Sequence, residues 1–435
     1  MSPELLTLGM FGSLVLAIVL GVSLSYALGG IAVIFTLITV GPFGLLSLVS
    51  ATFNLMWSIL LGAIPFFIFM GVALASSQIS RDLYHAFYLW SGRMNGGLLF
   101  GTAGFAATLS SMTGNCAAST ITTGMIGIPS MEKYKYRRSL VLGTIGAAGT
   151  LGILIPPSIT LIVIGMTTGL SVGRLFLGGL VAGMIALAAI VLYVAIRVWL
   201  QPSIAPGADN AVPLRDKVRA LRIVLAPVII VGLVLGSIFA GMATPTEAAG
   251  VGAAAVVVAT LIRGEVNWRF IQNVTYSSAT TTGMVLWIIF GAGAFVTVYE
   301  QGGGILFMQG LLLGLDVEPI TMILLMQLTA LVLGMFLDPI GIILLLLPIF
   351  IPIVINLGYD PIWFSVVFQL NLCIGYITPP FGYNIFYLKS LVPETPIMDI
   401  YKAVLPFVFV MILAGLLLIL FPGIITSVVE WGFRR

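Results

Sequence analysis

Apolar runs of membrane-spanning length recur along the whole chain, at 5–22, 56–75, 175–198, 223–239, 248–262, 283–298 and 403–420. A spanning helix needs about 20 such residues. Two further stretches are apolar but broken. Stretch 108–164 contains TLSSMTGNCAAST, GIPSMEKYKY and GTLGILIPPS, and stretch 331–387 contains LVLGMFLDPIG, FIPIVINLGY and NLCIGYITPPF. A constant shift of 223 residues pairs Pro129 with Pro352, Tyr136 with Tyr359, Gly152 with Gly375, Pro156 with Pro379, Pro157 with Pro380 and Asn115 with Asp338. Glycine and proline interrupt helical hydrogen bonding, and backbone groups freed at bilayer depth must line a cavity or be buried in protein. Duplicated breaks of this kind point to the binding region of a secondary transporter.

The pattern predicts an all-α polytopic membrane protein built of inverted repeats. Each repeat has a re-entrant hairpin and an interrupted helix. Scaffold helices are expected at 1–80, three of them within 5–76, followed by an amphipathic arm at 81–97 with Arg81, Asp82 and Arg93 near its ends. The first hairpin and interrupted helix take 98–170, with the unwinding around 149–157. Unbroken scaffold helices fill 171–299 around a cytoplasmic loop at 200–220. A second arm at 300–320, with the glycines at 302–304 as a hinge, leads to the second hairpin and interrupted helix at 321–390, and a last helix occupies 391–435.

Composition agrees: 60% of the 435 residues are hydrophobic and 8% charged, against roughly 25% charged in soluble domains. Only Glu4 is charged ahead of the first run, so that run reads as a retained helix and not a cleaved signal. A net charge of +3 gives no reason to expect a nucleic-acid partner. Cys116 and Cys373 stand in apolar segments without metal-type spacing, and His85 lies in an aromatic, interfacial segment. Three clusters of basic residues mark the cytoplasmic side: Lys133, Lys135, Arg137 and Arg138; Arg197, Arg215, Lys217, Arg219 and Arg222; and Arg263 with Arg269. The loop equivalent to the first cluster, INLGYDPIW, has Asp360 and no Lys or Arg. The two hairpins are therefore expected to enter from opposite faces.

Within segments 98–130, 139–170, 321–358 and 361–388 the one acidic or basic residue is Asp338, beside Pro339 at the second tip. An intramembrane carboxylate is expensive and is a functional candidate by default, although a helix N-cap would also explain it. Asn115 holds the equivalent place among Ser110, Ser111, Thr113, Gly114, Ser119, Thr120, Thr122 and Thr123. Small hydroxyl residues also let membrane helices pack closely, so packing competes with coordination as their explanation. Hard cations prefer oxygen ligands, and helix N-termini can hold a carboxylate without an arginine. At least two Na⁺ sites are expected: Ser110, Ser111, Thr113 and Asn115 with Gly149 and Gly152, and Gly334 and Asp338 with Gly375 and Thr378. Asn115, Ser119, Pro156, Pro157, Asp338, Pro379 and Pro380 are the candidates for substrate contact. The sequence has no P-loop, HExxH or CxxC. Enzymatic activity is not expected, and an ion gradient is the natural driver.

The segments GTLGILIPPSI (149–159), GMATPTEAAGVGA (241–253), GMFLDPIGIILLLLPIFIPI (334–353) and NLCIGYITPPFGYNIF (371–386) resemble the large membrane subunit of tripartite ATP-independent periplasmic (TRAP) transporters. The resemblance covers nearly the whole chain. It implies a sodium-driven elevator transporter of the ion-transporter superfamily in the bacterial inner membrane. It also implies a small four-helix membrane subunit, a periplasmic substrate-binding protein, and small organic acids as substrates. The chain is expected to be the unfused form. Its first hairpin departs from the family's SGSSAA-type run, with Met112 and Asn115 in place of small residues. Two other readings stand beside this one: a stand-alone sodium/dicarboxylate-type elevator without a binding protein, and a non-transporting membrane scaffold.

Overall fold

A computed structural model describes residues 1–91, 94–207, 213–315 and 317–434; Arg93 and Asp316 lie outside them. The described residues are helical throughout. The first half comprises α1 (Pro3–Val19), α2 (Leu24–Thr39), α3 (Leu45–Met56), α4 (Ala63–Ser76), α5 (Gln78–Ser91), α6 (Gly97–Thr113), α7 (Cys116–Lys133), α8 (Arg138–Thr150), α9 (Ile159–Thr168) and α10 (Val172–Leu200). The second comprises α11 (Leu214–Phe239), α12 (Pro245–Ile262), α13 (Trp268–Gln301), α14 (Gly304–Leu313), α15 (Pro319–Gly334), α16 (Pro339–Asn356), α17 (Pro361–Gly375), α18 (Tyr383–Leu391), α19 (Ile397–Leu420) and α20 (Gly423–Gly432).

The 223-residue duplication extends across the chain. Shifted by that amount, α7 runs 339–356, which are the bounds of α16; α8 falls on α17, α9 on α18 and α10 on α19. Ahead of the hairpins, α1 falls on α11, α2 on α12, and α3 with α4 on the single long helix α13. Packing follows the same pairing, with α2 against α13 and, reciprocally, α12 against α4. The expectation of three helices within 5–76 is corrected to four, because the chain breaks at Trp57–Ser58 into a 3₁₀ turn (Ile59–Gly62) before α4. The N-terminal arm is α5, starting three residues earlier than expected.

Long α10 measures which face each hairpin enters. At its C-terminal end Val198 packs on Gly96, at the base of the first hairpin; near its N-terminal end Gly178 packs on Val366 of α17, beside the base of the second. A 29-residue helix is about 43 Å long at 1.5 Å per residue, so the bases lie on opposite faces of a bilayer-thick body. The basic clusters share the first hairpin's face. Arg137 N–H donates to Ile204 O (2.8 Å) and Gly96 N–H to Ala205 O (2.8 Å). Arg263 pairs with Asp82 of α5, and Trp90 Nε1 of α5 donates to Lys217 O (3.1 Å).

Although α10 is unbroken and was grouped by sequence with the helices up to 299, its contacts lie mainly with α6, α8, α9, α17, α19 and α20. Gly179 and Gly183 let it approach the first interruption closely: a Cβ on Gly179 would sit 2.7 Å from Leu154 O. By packing, α10 and α19 belong to the body that holds both hairpins. Helices α1–α4 and α11–α13 pack mainly on one another, with α4 on α6 and α13 on α16 joining them to that body, and α5 and α14 touch both groups.

Candidate functional site

Each hairpin tip packs on the interruption in its own repeat. In the first, α6 ends at Gly114, whose φ of +59° suits glycine, and a Cβ there would stand 2.8 Å from Pro157 O. Asn115 then starts α7 as its N-cap, its Oδ1 accepting from Ala117 N (2.8 Å) and Ala118 N (3.4 Å). The Asn115 carbonyl faces Gly152, where a Cβ would sit 2.9 Å from it. Helix α8 stops at Thr150, and the chain runs through a 3₁₀ turn (Leu151–Ile153) and Pro156–Pro157, all buried, before α9. Unwinding therefore spans 151–158, slightly later than the sequence suggested.

The second tip repeats the plan. Asp338 caps α16, its Oδ1 accepting from Ile340 N (2.9 Å), the position equivalent to Ala117. Its other oxygen accepts from Tyr376 Oη (3.0 Å), in the break after α17. Gly334 meets Gly375 backbone to backbone: a Cβ on Gly375 would lie 2.9 Å from Gly334 C and 3.1 Å from Gly334 O. Gly382 N–H donates to Met335 O (3.1 Å), closing the tip onto the break. The helix-cap reading of Asp338 is met, and the cap sets a carboxylate at the junction of tip and break.

Other expected ligands are engaged locally. Ser110 and Ser119 hydroxyls bond each other inside the hairpin (2.9 Å), Ser111 donates to Thr108 O (2.7 Å), Thr113 to Leu109 O (3.0 Å) and Thr378 to Ile374 O (2.6 Å). Gly149 lies one turn below the tip, against Thr120, and not at the tip itself. Pro156 and Pro157 are buried, whereas Pro380 is exposed with its carbonyl accepting from Tyr401 Oη. Cys116 and Cys373 are buried and unpaired, and His85 stacks on Tyr88.

Three contributors were missed by sequence reasoning. Tyr376 was passed over as one aromatic among many. Gln369 donates from Nε2 to Ile153 O (3.0 Å), and Asn384 from Nδ2 to Gly146 O (2.7 Å), so each pins the second repeat's interrupted helix to the first's. The signal was available: they are uncharged amides inside apolar spans, and buried polar groups need partners. Ile153 O also accepts from Ser158 (2.6 Å) and Thr160 (2.8 Å). The amide oxygens of Gln369 and Asn384, and the hydroxyls of Thr120 and Thr123, are buried without a hydrogen-bond partner among the described residues. A cavity of about 830 Å³ lies beside the second hairpin, lined by Asn54, Thr297 and Glu300 on one side and Leu344, Pro348 and Pro352 on the other.

Two inverted repeats with hairpins docked on helix breaks define a polytopic transporter fold. A solved structure of the same fold, the YdaH transporter of Alcanivorax borkumensis, matches over 88% of each chain with a TM-score of 0.64 and 17% identity. The chain belongs to the DctM component of the tripartite ATP-independent periplasmic transporters, whose family model matches residues 11–424. It is similar to the C4-dicarboxylate TRAP transporter large permease protein of Pseudomonas aeruginosa (30% identity, covering 92% of this chain and 93% of that one). It is also similar to the sialic acid large permease of Vibrio cholerae (29%; 83% and 84%). Against the isethionate permease protein DctMQ of Oleidesulfovibrio alaskensis it is 28% identical over 95% of its own length but spans only 65% of that protein. The protein is a multi-pass inner-membrane TRAP permease subunit.

Proposed function

We propose that this subunit imports a small organic acid together with Na⁺, by movement of the body holding the hairpins against α1–α4 and α11–α13. The observation that carries the reading is the paired docking of tip on break. It leaves two sets of backbone and side-chain oxygens in the protein interior, related by the repeat: Asn115 and its tip with Gly152, and Gly334 and Asp338 with Gly375 and Tyr376. The donor set is all oxygen, which suits a hard cation. The Asn115 and Gly334 carbonyls are brought to the breaks because glycine stands opposite each of them. In this reading Na⁺ binding closes tip on break, and the helix N-termini capped by Asn115 and Asp338 supply positive ends for the substrate's anionic group. Thr113 and Thr378 serve as side-chain ligands. The hydroxyls of Ser110 and Ser119, already satisfied by each other, serve as hairpin packing.

The moving body would include α10 and α19, from their contacts with the interrupted helices. The cavity beside the second hairpin gives it room to slide, and α5 and α14 link it to the static part. Substrate would be delivered by a periplasmic binding protein, with a small four-helix subunit docked on the static helices. Dicarboxylate, sialic acid and isethionate in the relatives' names all carry an acidic group, which supports an organic acid here.

The test is uptake into proteoliposomes of the subunit, its small partner and the binding protein, with Na⁺ replaced by K⁺ at a clamped membrane potential. Uptake should require Na⁺ and the binding protein. Undiminished uptake in K⁺ removes sodium coupling, and full uptake without the binding protein makes this a stand-alone carrier.

A further inference from the structure

On the face carrying the basic clusters, α4 turns into α5 beside the loop between α12 and α13. A cavity of about 740 Å³ opens there, lined by Gln78, Arg81, Arg263, Glu265, Asn267 and Arg269 among others. We propose that this cavity binds the phosphodiester headgroup of an anionic phospholipid from the cytoplasmic leaflet.

Charge bookkeeping comes first. Arg263 is occupied: its guanidinium bonds Asp82, and its Nε donates to Glu265 Oε1 (2.7 Å). Glu265 Oε2 in turn accepts from Gln78 N (2.8 Å). Among the described residues Arg81 and Arg269 have no carboxylate partner. Three guanidiniums against two carboxylates leave one positive charge, the complement of a singly charged phosphodiester.

Position adds a second argument. Arg81 lies in the first turn of α5 and Arg269 in the first turn of α13. The positive end of a helix dipole disfavours a cation there and favours an anion. Two unpaired arginines thus converge on one cavity at helix starts whose amides already donate to Glu265 and Asn267, and an anion between the arginines relieves both. Guanidinium groups suit phosphate because they can present two parallel N–H donors.

The location decides between a lipid and a soluble anion. Trp268, adjoining the cavity at the start of α13, is 76% exposed, as expected of a ring at the headgroup level. Basic cavities between membrane helices on the cytoplasmic side are suited to lipid headgroups. The consequence is mechanical: a bound headgroup ties the arm α5 to the α12–α13 loop and reinforces the Asp82–Arg263 pair.

The test uses the full chain, delipidated in neutral detergent. Phosphatidylglycerol, phosphatidylcholine or inorganic phosphate is added, with thermal stability and retained lipid by native mass spectrometry as readouts. Phosphatidylglycerol should be retained and should raise the melting temperature, and phosphatidylcholine should not. Arg81→Gln with Arg269→Gln should weaken retention at least tenfold. Arg269→Gln alone, at a side chain with no hydrogen bond or ion pair among the described residues, keeps the test open if the double variant fails to fold. Arg138→Gln, on the same face but paired with Glu132, should bind as the parent does. Equal retention by parent and both cavity variants overturns the site. Inorganic phosphate reproducing the whole stabilisation overturns the lipid assignment.

Discussion

Gly375→Ala isolates the tip-to-break contact of the second repeat. Gly375 is the last residue of α17 and is not in the left-handed region, so alanine has no backbone objection. Elsewhere in a helix the change would stabilise by about 0.5–1 kcal/mol. Here the new methyl would stand 2.9 Å from Gly334 C, 3.0 Å from its Cα and 3.1 Å from its O. These contacts fall roughly half an ångström short of the optimum of about 3.5 Å. The obstacle is backbone at a capped hairpin tip, which cannot rotate away as a side chain would. Overpacking of this size costs about 1–3 kcal/mol. If Na⁺ binding requires the docked tip, the cost appears as a loss of about 5- to 150-fold in apparent sodium affinity. The assay is the sodium dependence of uptake in proteoliposomes at fixed potential, with correct assembly checked by gel filtration. Gly12→Ala, exposed on α1 with nothing within 4 Å of its Cβ, is the control and should change neither affinity nor assembly. A Gly375→Ala protein with the parent's sodium dependence would refute the argument that close approach of tip and break forms the ion site.

Asp338→Asn keeps an acceptor for Ile340 N, turns the Tyr376 contact into an amide N–H donating to Oη, and removes the charge. Uptake should fall at least tenfold with normal assembly, and parent-like uptake would reduce Asp338 to a helix cap. Asn115→Ala deletes two cap bonds and should cost about 0.5–2 kcal/mol in thermal unfolding; Asn115→Asp should restore most of that stability. Gln369→Leu leaves Ile153 O with its Ser158 and Thr160 donors, so stability should drop by only about 1 kcal/mol. Its effect should fall on transport, and unchanged uptake kinetics would show that the cross-repeat bond serves no coupling. Cysteines replacing Asn54 and Pro348, on opposite walls of the cavity beside the second hairpin, should block uptake reversibly when cross-linked. Full uptake by the cross-linked protein would rule out sliding at that interface.

By itself the sequence determined the membrane class, the duplication and the hairpins, because each is written in local chemistry. Lipid admits only helices whose polar groups are satisfied internally, so spans appear as apolar runs and breaks as Gly, Pro and polar residues out of place. The basic residues near 133–138 and Asp360 at the equivalent loop were enough to infer that the hairpins enter from opposite faces. That the second half repeats the order of the first, with helices and an arm ahead of each hairpin, was legible too, but not residue by residue. Helices α1–α4 keep the topology of α11–α13 with little of their sequence, since lipid-facing apolar residues are interchangeable, and the break at Trp57–Ser58 carries no proline to announce it. Nor could the sequence say which hydroxyls face a site. Ser110 and Ser119 look like ligands in one dimension, yet they bond each other once the hairpin closes. The tertiary structure alone paired Asp338 with Tyr376, Gln369 with Ile153 and Asn384 with Gly146. It also packed α10 chiefly on the interrupted helices and α19. Those are contacts between segments 38 to 238 residues apart, decided by how the two repeats interlock and not by any local preference of the chain.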